Sequence, residues 1–209
     1  MKILKYDIRL NTIFHKHLPR IDDRHGVYFV TGRQGTGKTY YAIYYLLQQD
    51  LKKLNLIYTN ILSLKIPPIQ DKICYFTKVE EIYKNTDENC IFILDEISRK
   101  YDKNSKTDTQ LYAWLNQSRK KKRIVIMITQ EWKELPMWIR RPAKFMFITK
   151  PTFILGLFGW YTTIVGDAEN MYLDKDTMEW ECPTIKHIIY KRLKKIADCY
   201  DTFEAINNL

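Results

Sequence analysis

Apolar and β-branched residues fall in short unbroken runs along this chain, separated by polar stretches that carry helical spacing. The runs are Val27–Thr31, Leu56–Thr59, Ile73–Phe76, Ile91–Leu94, Ile124–Thr129 and Phe145–Thr149. Runs that are apolar throughout, not alternating, predict strands buried on both faces. Helices are expected between them: Lys38 to about Leu54, a short one over Lys78–Lys84, and Lys106–Arg119, where Leu111, Trp114 and Leu115 share a face. Strands alternating with helices predict an α/β fold, a mainly parallel sheet with helices on both faces. The first 20 residues are expected to add an edge strand. Residues 1–150 form the predicted core. Residues 151–209 read as a small β/helical extension packed on it and not as an independent domain.

The most apolar stretch, Phe145 to Gly166, is interrupted by Lys150, Pro151 and glycines. It is too broken for a membrane-spanning helix and reads as strands with a hairpin around Gly156–Gly159. The sequence TIKHIIYKRLKKIADCYDTFE, from Thr184, is expected to be helical and basic. The N-terminus carries charges through its apolar part, which excludes a signal peptide. A cytoplasmic protein with no direct membrane span is the expectation.

The 209 residues include 34 Lys and Arg against 24 Asp and Glu, a formal charge of +10. That excess favours a polyanionic partner, nucleic acid first and an anionic membrane surface second; a Lys- and Ile-rich coding bias is the plainer alternative. Cys74, Cys90, Cys182 and Cys199 form no C-x-x-C pair and read as buried thiols in a reducing compartment, not as staples or zinc ligands. The four histidines are scattered and complete no metal-ligand spacing.

The turn after the first predicted strand changes the picture. Gly32, Arg33, Gln34, Gly35, Thr36, Gly37, Lys38 and Thr39 spell G-x-x-x-x-G-K-[ST], the Walker A pattern, between a strand and a helix. Glycines there let the backbone curl so that consecutive N–H groups point at phosphate oxygens, and the helix adds its positive end. Lys38 would reach the β and γ phosphates of ATP, and Thr39 would ligate Mg2+. The run Cys90–Ser98, CIFILDEIS, ends an apolar strand in Asp95 and Glu96, a Walker B pattern. Asp95 would hold Mg2+ and Glu96 would act as general base toward water. Gln130, closing the strand RIVIMITQ, is the candidate polar sensor beside the γ-phosphate; capping of the next turn is the plainer alternative.

Arg119 to Arg123 is a run of five cations whose mutual repulsion excludes a buried placement, and a nuclear localisation signal is one plain reading of it. It suits a solvated corner, a phosphate-backbone contact, or an arginine that enters a neighbouring subunit's site. Arg119 is the preferred finger, with Arg123, Arg140, Arg141 and, in cis, Arg33 as alternatives. The polar stretch Arg99–Thr109 and the stretch Lys133–Pro142 are candidate pore loops or solvated loops. Trp160, Tyr161 and Trp180 are expected mostly in packing.

The adjacent Asp-Glu resembles the additional-strand, catalytic-glutamate class of P-loop ATPases, in which a further strand lies between the two motif strands; Arg123–Gln130 holds that position. Together with GRQGTGKTYYA, IFILDEIS, LNQSRKKKRIVIMITQ and the late YDTFE, the chain resembles the FtsK/HerA lineage. Within it the likeness is to small viral genome-packaging ATPases and to Zot-like phage morphogenesis proteins. The resemblance implies a pentameric or hexameric homo-oligomer ring that threads double-stranded DNA, ATP at subunit interfaces, and an arginine acting in trans from the corner Arg119 occupies. It also implies a viral portal or capsid vertex as partner. Zot-like proteins typically carry a later membrane segment that this sequence does not show, which favours the packaging motor. A Zot-like assembly or secretion ATPase working through another membrane protein is the alternative. A nucleotide-dependent binding protein or small kinase is a third.

Overall fold

The apolar runs lie side by side in one eight-stranded sheet. The computed structural model describes residues 25–49, 53–154, 157–176 and 178–201; the edge strand expected from the first 20 residues lies outside them. The strands are β1 (Gly26–Thr31), β2 (Ile57–Thr59), β3 (Ile73–Tyr75), β4 (Ile91–Leu94), β5 (Ile124–Thr129), β6 (Ala143–Ile154), β7 (Leu157–Asp167) and β10 (Thr184–Lys191), in the order β10-β7-β6-β1-β5-β4-β2-β3. From β3 across to β6 every neighbouring pair is parallel; β7 and β10 extend the sheet antiparallel. A separate ribbon pairs β8 (Tyr172–Asp174) with β9 (Glu179–Glu181).

Parallel strands need helical crossovers, and these cover both faces. Along β1, Tyr28 and Val30 pack on the face that carries α1 (Lys38–Leu47), while Val27 and Phe29 pack on the face of α3 (Thr109–Asn116). Strands β4 and β5 divide in the same way: Ile91, Ile93, Ile126 and Ile128 toward α1, Phe92, Leu94, Val125 and Met127 toward α3. Burial on both sides is why these strands read as continuous apolar runs. The expected extra strand is β5, seated between β1 and β4. Short helices α2 (Glu80–Tyr83), α4 (Met137–Arg140) and α5 (Lys194–Ala197) complete the set.

Three expectations require correction. Helix α1 ends at Leu47 and not near Leu54, because the polar Gln48 and Gln49 close the last turn onto the Tyr44, Tyr45 and Leu46 carbonyls. The segment from Thr184, expected to be helical, is strand β10 up to Lys191 and only Lys194–Ala197 is helical. Its Ile185 and Tyr190 are buried, and β7 offers it an open edge, so sheet pairing overrides helix propensity there. The cationic run is not all solvated: Arg123 is 1% exposed. Its guanidinium donates to the Asp87 carbonyl at 2.7 Å and the Asn85 carbonyl at 2.9 Å, and lies 5.0 Å from the Trp114 ring centre. Carbonyl dipoles and a π face replace its water, which a run of neighbouring cations does not reveal. Arg140 is also buried, over Trp132. Both alternative finger candidates are thus packed inside the fold, whereas Arg141 and Arg119 are exposed.

Arg123→Met keeps the packing on Phe92 and Trp114 but strips the Asp87 carbonyl of its partner. A loss of about 2 kcal/mol in urea unfolding is expected. Arg119→Met, at an exposed ion pair with Glu169, is expected to cost under about 0.5 kcal/mol.

Candidate active site

Parallel register brings three strand ends to one edge of the sheet. Thr31 of β1 is level with Thr129 of β5, and Leu94 of β4 with Met127. The residues that follow, Gly32, Gln130 and Asp95, therefore emerge together, as polar residues should at the C-terminal ends of parallel strands. The Gln130 carbonyl accepts from Gly32 N–H at 3.3 Å and from the Thr31 hydroxyl at 3.1 Å, tying the base of the glycine loop to β5. The Gln130 side chain itself is exposed.

The loop curls tightly. Gly32 has φ +150° and lies so close to β6 that an added Cβ would sit 2.7 Å from the Thr149 carbonyl oxygen. Gly37 has φ +83°, and a Cβ there would sit 2.8 Å from the Tyr161 ring. No larger residue fits at either position. Thr36 is buried; its hydroxyl bonds to the Arg33 carbonyl at 2.8 Å and meets the Thr149 hydroxyl at 3.1 Å. Arg33, Gln34 and Gly35 form the exposed crest. Lys38 Nζ donates to the Arg33 carbonyl at 3.1 Å, so its ammonium is folded onto the loop it opens from. Burial holds the Lys38 pKa below its usual value, against the attraction of Asp95 and Glu96.

Across the mouth, the Thr39 hydroxyl donates to Asp95 Oδ2 at 3.1 Å. Burial pushes the Asp95 carboxyl up to about 6; the Thr39 bond opposes the rise and the Glu96 charge adds to it. Glu96 sits in the left-handed region at φ 54° and forms an ion pair with Arg99. A non-glycine residue held there is typical of a functional turn. Asn60, just past β2, fixes this turn from the side. Its amide accepts from Asp95 N–H at 2.7 Å and donates to the Asp95 carbonyl at 2.9 Å. The motifs do not name Asn60, but its place at a strand's C-terminal end could have found it.

Lys38, Thr39, Asp95 and Glu96 line one cavity of about 810 Å³. Its far wall comes from the chain's C-terminal part, which motif reading leaves unassigned: Tyr161 of β7, and Arg192, Tyr200 and Asp201. A strap from Arg192 to Asp201 crosses the start of α1. Leu193 N–H donates to the Tyr40 hydroxyl at 2.8 Å, Lys65 N–H to the Cys199 carbonyl at 2.7 Å, and Asp201 N–H to the Ser63 hydroxyl at 2.9 Å. Of the late YDT signal, Tyr200 and Asp201 thus stand at the cavity and Thr202 lies outside the described residues.

Arg119 is not brought to this cavity. It is exposed, pairs with Glu169, and lies beside Gly26, at the opposite end of β1 from the glycine loop. Six strand residues separate the two ends by roughly 20 Å. Arg141 is likewise exposed. The stretch Arg99–Thr109 is anchored by Tyr101, which is buried and donates to Asp108 at 2.8 Å, and presents Lys103 and Lys106 to solvent. In the stretch Lys133–Pro142, Leu135, Ile139 and Arg140 are packed inside. Among the described residues, no helix is long and apolar enough to cross a membrane, and no three His, Cys, Asp or Glu side chains gather as a metal cluster.

The N-terminal domain of zonular occludens toxin from Neisseria meningitidis superposes with a TM-score of 0.58 at 21% identity, over 84% of this chain and 98% of that one. The genome packaging NTPase B204 from Sulfolobus turreted icosahedral virus 2, in complex with sulfate, gives 0.56 at 11% identity, over 81% and 98%. The same NTPase in complex with AMPPCP gives 0.54 at 13%, over 80% and 98%. At these identities the likeness establishes the fold, a P-loop NTPase sheet. No curated protein sequence matches significantly. The family model described as zonular occludens toxin (Zot) matches residues 26–192, and the chain belongs to that family.

Proposed function

We propose that this protein hydrolyses ATP with Mg2+ and couples turnover to the movement of double-stranded DNA through a homo-oligomeric ring. The observation that carries the hydrolytic part is the convergence of Lys38, Thr39, Asp95 and Glu96 on one cavity beneath a curled glycine loop. The loop's N–H groups and the α1 N-terminus would take the β and γ phosphates. Lys38 would leave the Arg33 carbonyl for them, exchanging a neutral acceptor for an anion.

The donors suit Mg2+. Thr39 and Asp95 offer only oxygen, 3.1 Å apart, and the desolvated Asp95 charge is one that a cation would offset. One protein carboxylate and one hydroxyl leave the remaining positions to phosphate and water, as Mg2+ prefers. Bound there, the ion would draw charge from the phosphates. Glu96 would accept the proton of the attacking water once its carboxylate swings from Arg99. Gln130, at the end of β5, is the candidate to orient that water. Arg119 would stabilise the transferring phosphoryl group of a neighbouring copy, since its own cavity lies at the far end of β1.

The net charge of +10 supports DNA as the polyanion, held through phosphates and without reading sequence. The packaging NTPase neighbours support this reading by their names, and a capsid or portal vertex would then be the docking partner. A second reading, an assembly ATPase acting at a membrane through another protein, is favoured by the family match over residues 26–192.

Three outcomes are expected. In steady-state assays, Glu96→Gln retains ATP binding but lowers turnover at least about 100-fold, and Lys38→Ala loses binding. Double-stranded DNA raises the wild-type rate at low salt, and the stimulation fades as salt rises. Indifference to DNA with stimulation by anionic vesicles selects the second reading. Arg119→Ala is expected to bind ATP without hydrolysing it, and mixing it with Lys38→Ala restores part of the activity. Full turnover by Arg119→Ala alone rejects the trans role.

The Asp95 shift also has a stability consequence. Between about pH 4 and 6 the folded carboxyl keeps a proton that the unfolded chain has released, so its contribution to stability falls as pH rises through that window. Asp95→Asn preserves an acceptor for Thr39 and removes the buried charge. Thermal unfolding without nucleotide or Mg2+ should show the variant stabilised over wild type at pH 7.5, with the difference closing toward pH 4.5.

A further inference from the structure

The cavity is larger than a triphosphate requires, and its two sides differ in chemistry. Asp95 and Glu96 stand at the end of β4, two strands from β1 on one side; Tyr161 stands on β7, two strands from β1 on the other. On the reading that the glycine loop holds a triphosphate, its terminal phosphate must point to the β4 side, where the carboxylates are. The sugar and base then leave the loop on the β7 side, past Gly37 and the start of α1.

That side is built of rings and a guanidinium. Tyr161 is half-buried, packs against Gly37, and stacks on Tyr40 at 5.8 Å with 19° between planes and on Tyr190 at 5.9 Å. Arg192 continues from β10, its N–H bonded to the Gly159 carbonyl at 2.7 Å. Tyr200 comes from the strap and stands between the two sides: its neighbours Cys199 and Asp201 are bonded to Lys65 and Ser63, beyond β2, while Leu193 at the strap's start is bonded to Tyr40. All three side chains line the same cavity as Lys38.

We propose that Tyr161, Arg192 and Tyr200 form the nucleobase subsite, the base lying against the two tyrosine rings and the Arg192 guanidinium. The subsite rests on the nucleotide reading above and adds to it where the base lies and which part of the chain holds it. Every base presents a π face, and a ring or guanidinium stacked flat on that face reads none of its hydrogen-bonding edges. The subsite therefore adds affinity for a nucleoside triphosphate of any base. It also makes the strap, far from both motifs in sequence, part of the binding site.

The test uses the full chain with two ligands measured by calorimetry in Mg2+: ATP, and inorganic tripolyphosphate, which has the phosphate chain and no base. Tyr161→Ala and Tyr200→Ala are each expected to weaken ATP about tenfold, while tripolyphosphate affinity stays within about twofold of wild type. Tyr161→Phe, which keeps the ring, should bind ATP like wild type, and GTP and CTP should bind wild type within about tenfold of ATP. Unchanged ATP affinity in both alanine variants overturns the subsite. An equal loss for both ligands also overturns it, because the rings would then only support the loop. If wild type binds neither ligand, the phosphate reading itself falls, an outcome distinct from the other two.

Discussion

Parallel pairing of β1 with β5, and of β5 with β4, is the constraint on which the site depends. It brings Gly32, Asp95 and Gln130, far apart in sequence, to one edge of the sheet in fixed register. Hydrogen bonds lock the meeting point: the Gln130 carbonyl holds Gly32 and Thr31 from one side, and Asn60 holds both backbone groups of Asp95 from the other. A one-residue slip of β5 would turn each of its side chains to the opposite face and move the loop's anchor by roughly 3 Å. Burial of both faces forbids that slip, because each of Ile124 to Ile128 is packed on one side or the other. Sheet packing and site geometry are thus one condition.

The same edge gathers groups that a folded chain does not favour. Burial raises the Asp95 pKa and lowers that of Lys38, and Glu96 sits at positive φ. Each is held by a neighbour of modest strength: the Thr39 hydroxyl, the Arg33 carbonyl and the Arg99 guanidinium. These partners resemble what an anionic substrate and a hard cation would offer, but weakly. A polyphosphate with its cation would satisfy Lys38 and Asp95 together, so binding energy is available from relief of both.

The sequence made much of this visible, and the physical reasons are specific. Strands β1, β4 and β5 are apolar on both faces, so they stand out as short unbroken apolar runs, β1 closed by Gly32, β4 by Asp95 and β5 by Gln130. Gly32, Gly37, Lys38 and Asp95 announce themselves because backbone curvature and hard-ligand chemistry admit few substitutes. Asn60 carried no motif; its place just past a predicted strand marked the edge it stands on, and β2 pairing with β4 supplied its partner. Tyr161 and Arg192 were illegible for a similar reason, since long-range antiparallel pairing places them. The segment from Thr184 misled because its basic, Ile-rich pattern suits helix and edge strand alike, and the open edge of β7 decided between them. Arg123 misled because local charge density says nothing of the carbonyls and rings that wait to receive one guanidinium.

The division within that basic run bears on assembly. Arg123 is consumed inside the protein, while Arg119 projects at the N-terminal end of the strands and the phosphate loop lies at their C-terminal end. No side-chain motion spans roughly 20 Å, so Arg119 cannot serve its own cavity. If it serves one at all, the N-terminal edge of one copy must face the C-terminal edge of the next. Such a contact uses two different surfaces, and repeated it closes into a ring or runs on as a filament. Within the chain Arg119 is occupied by Glu169, an exposed pair that holds it only weakly, so a neighbour's phosphates would compete for it readily. A trans arginine and a contact joining opposite ends of the sheet in two copies are therefore not separate hypotheses for this fold: the length of β1 makes the first require the second.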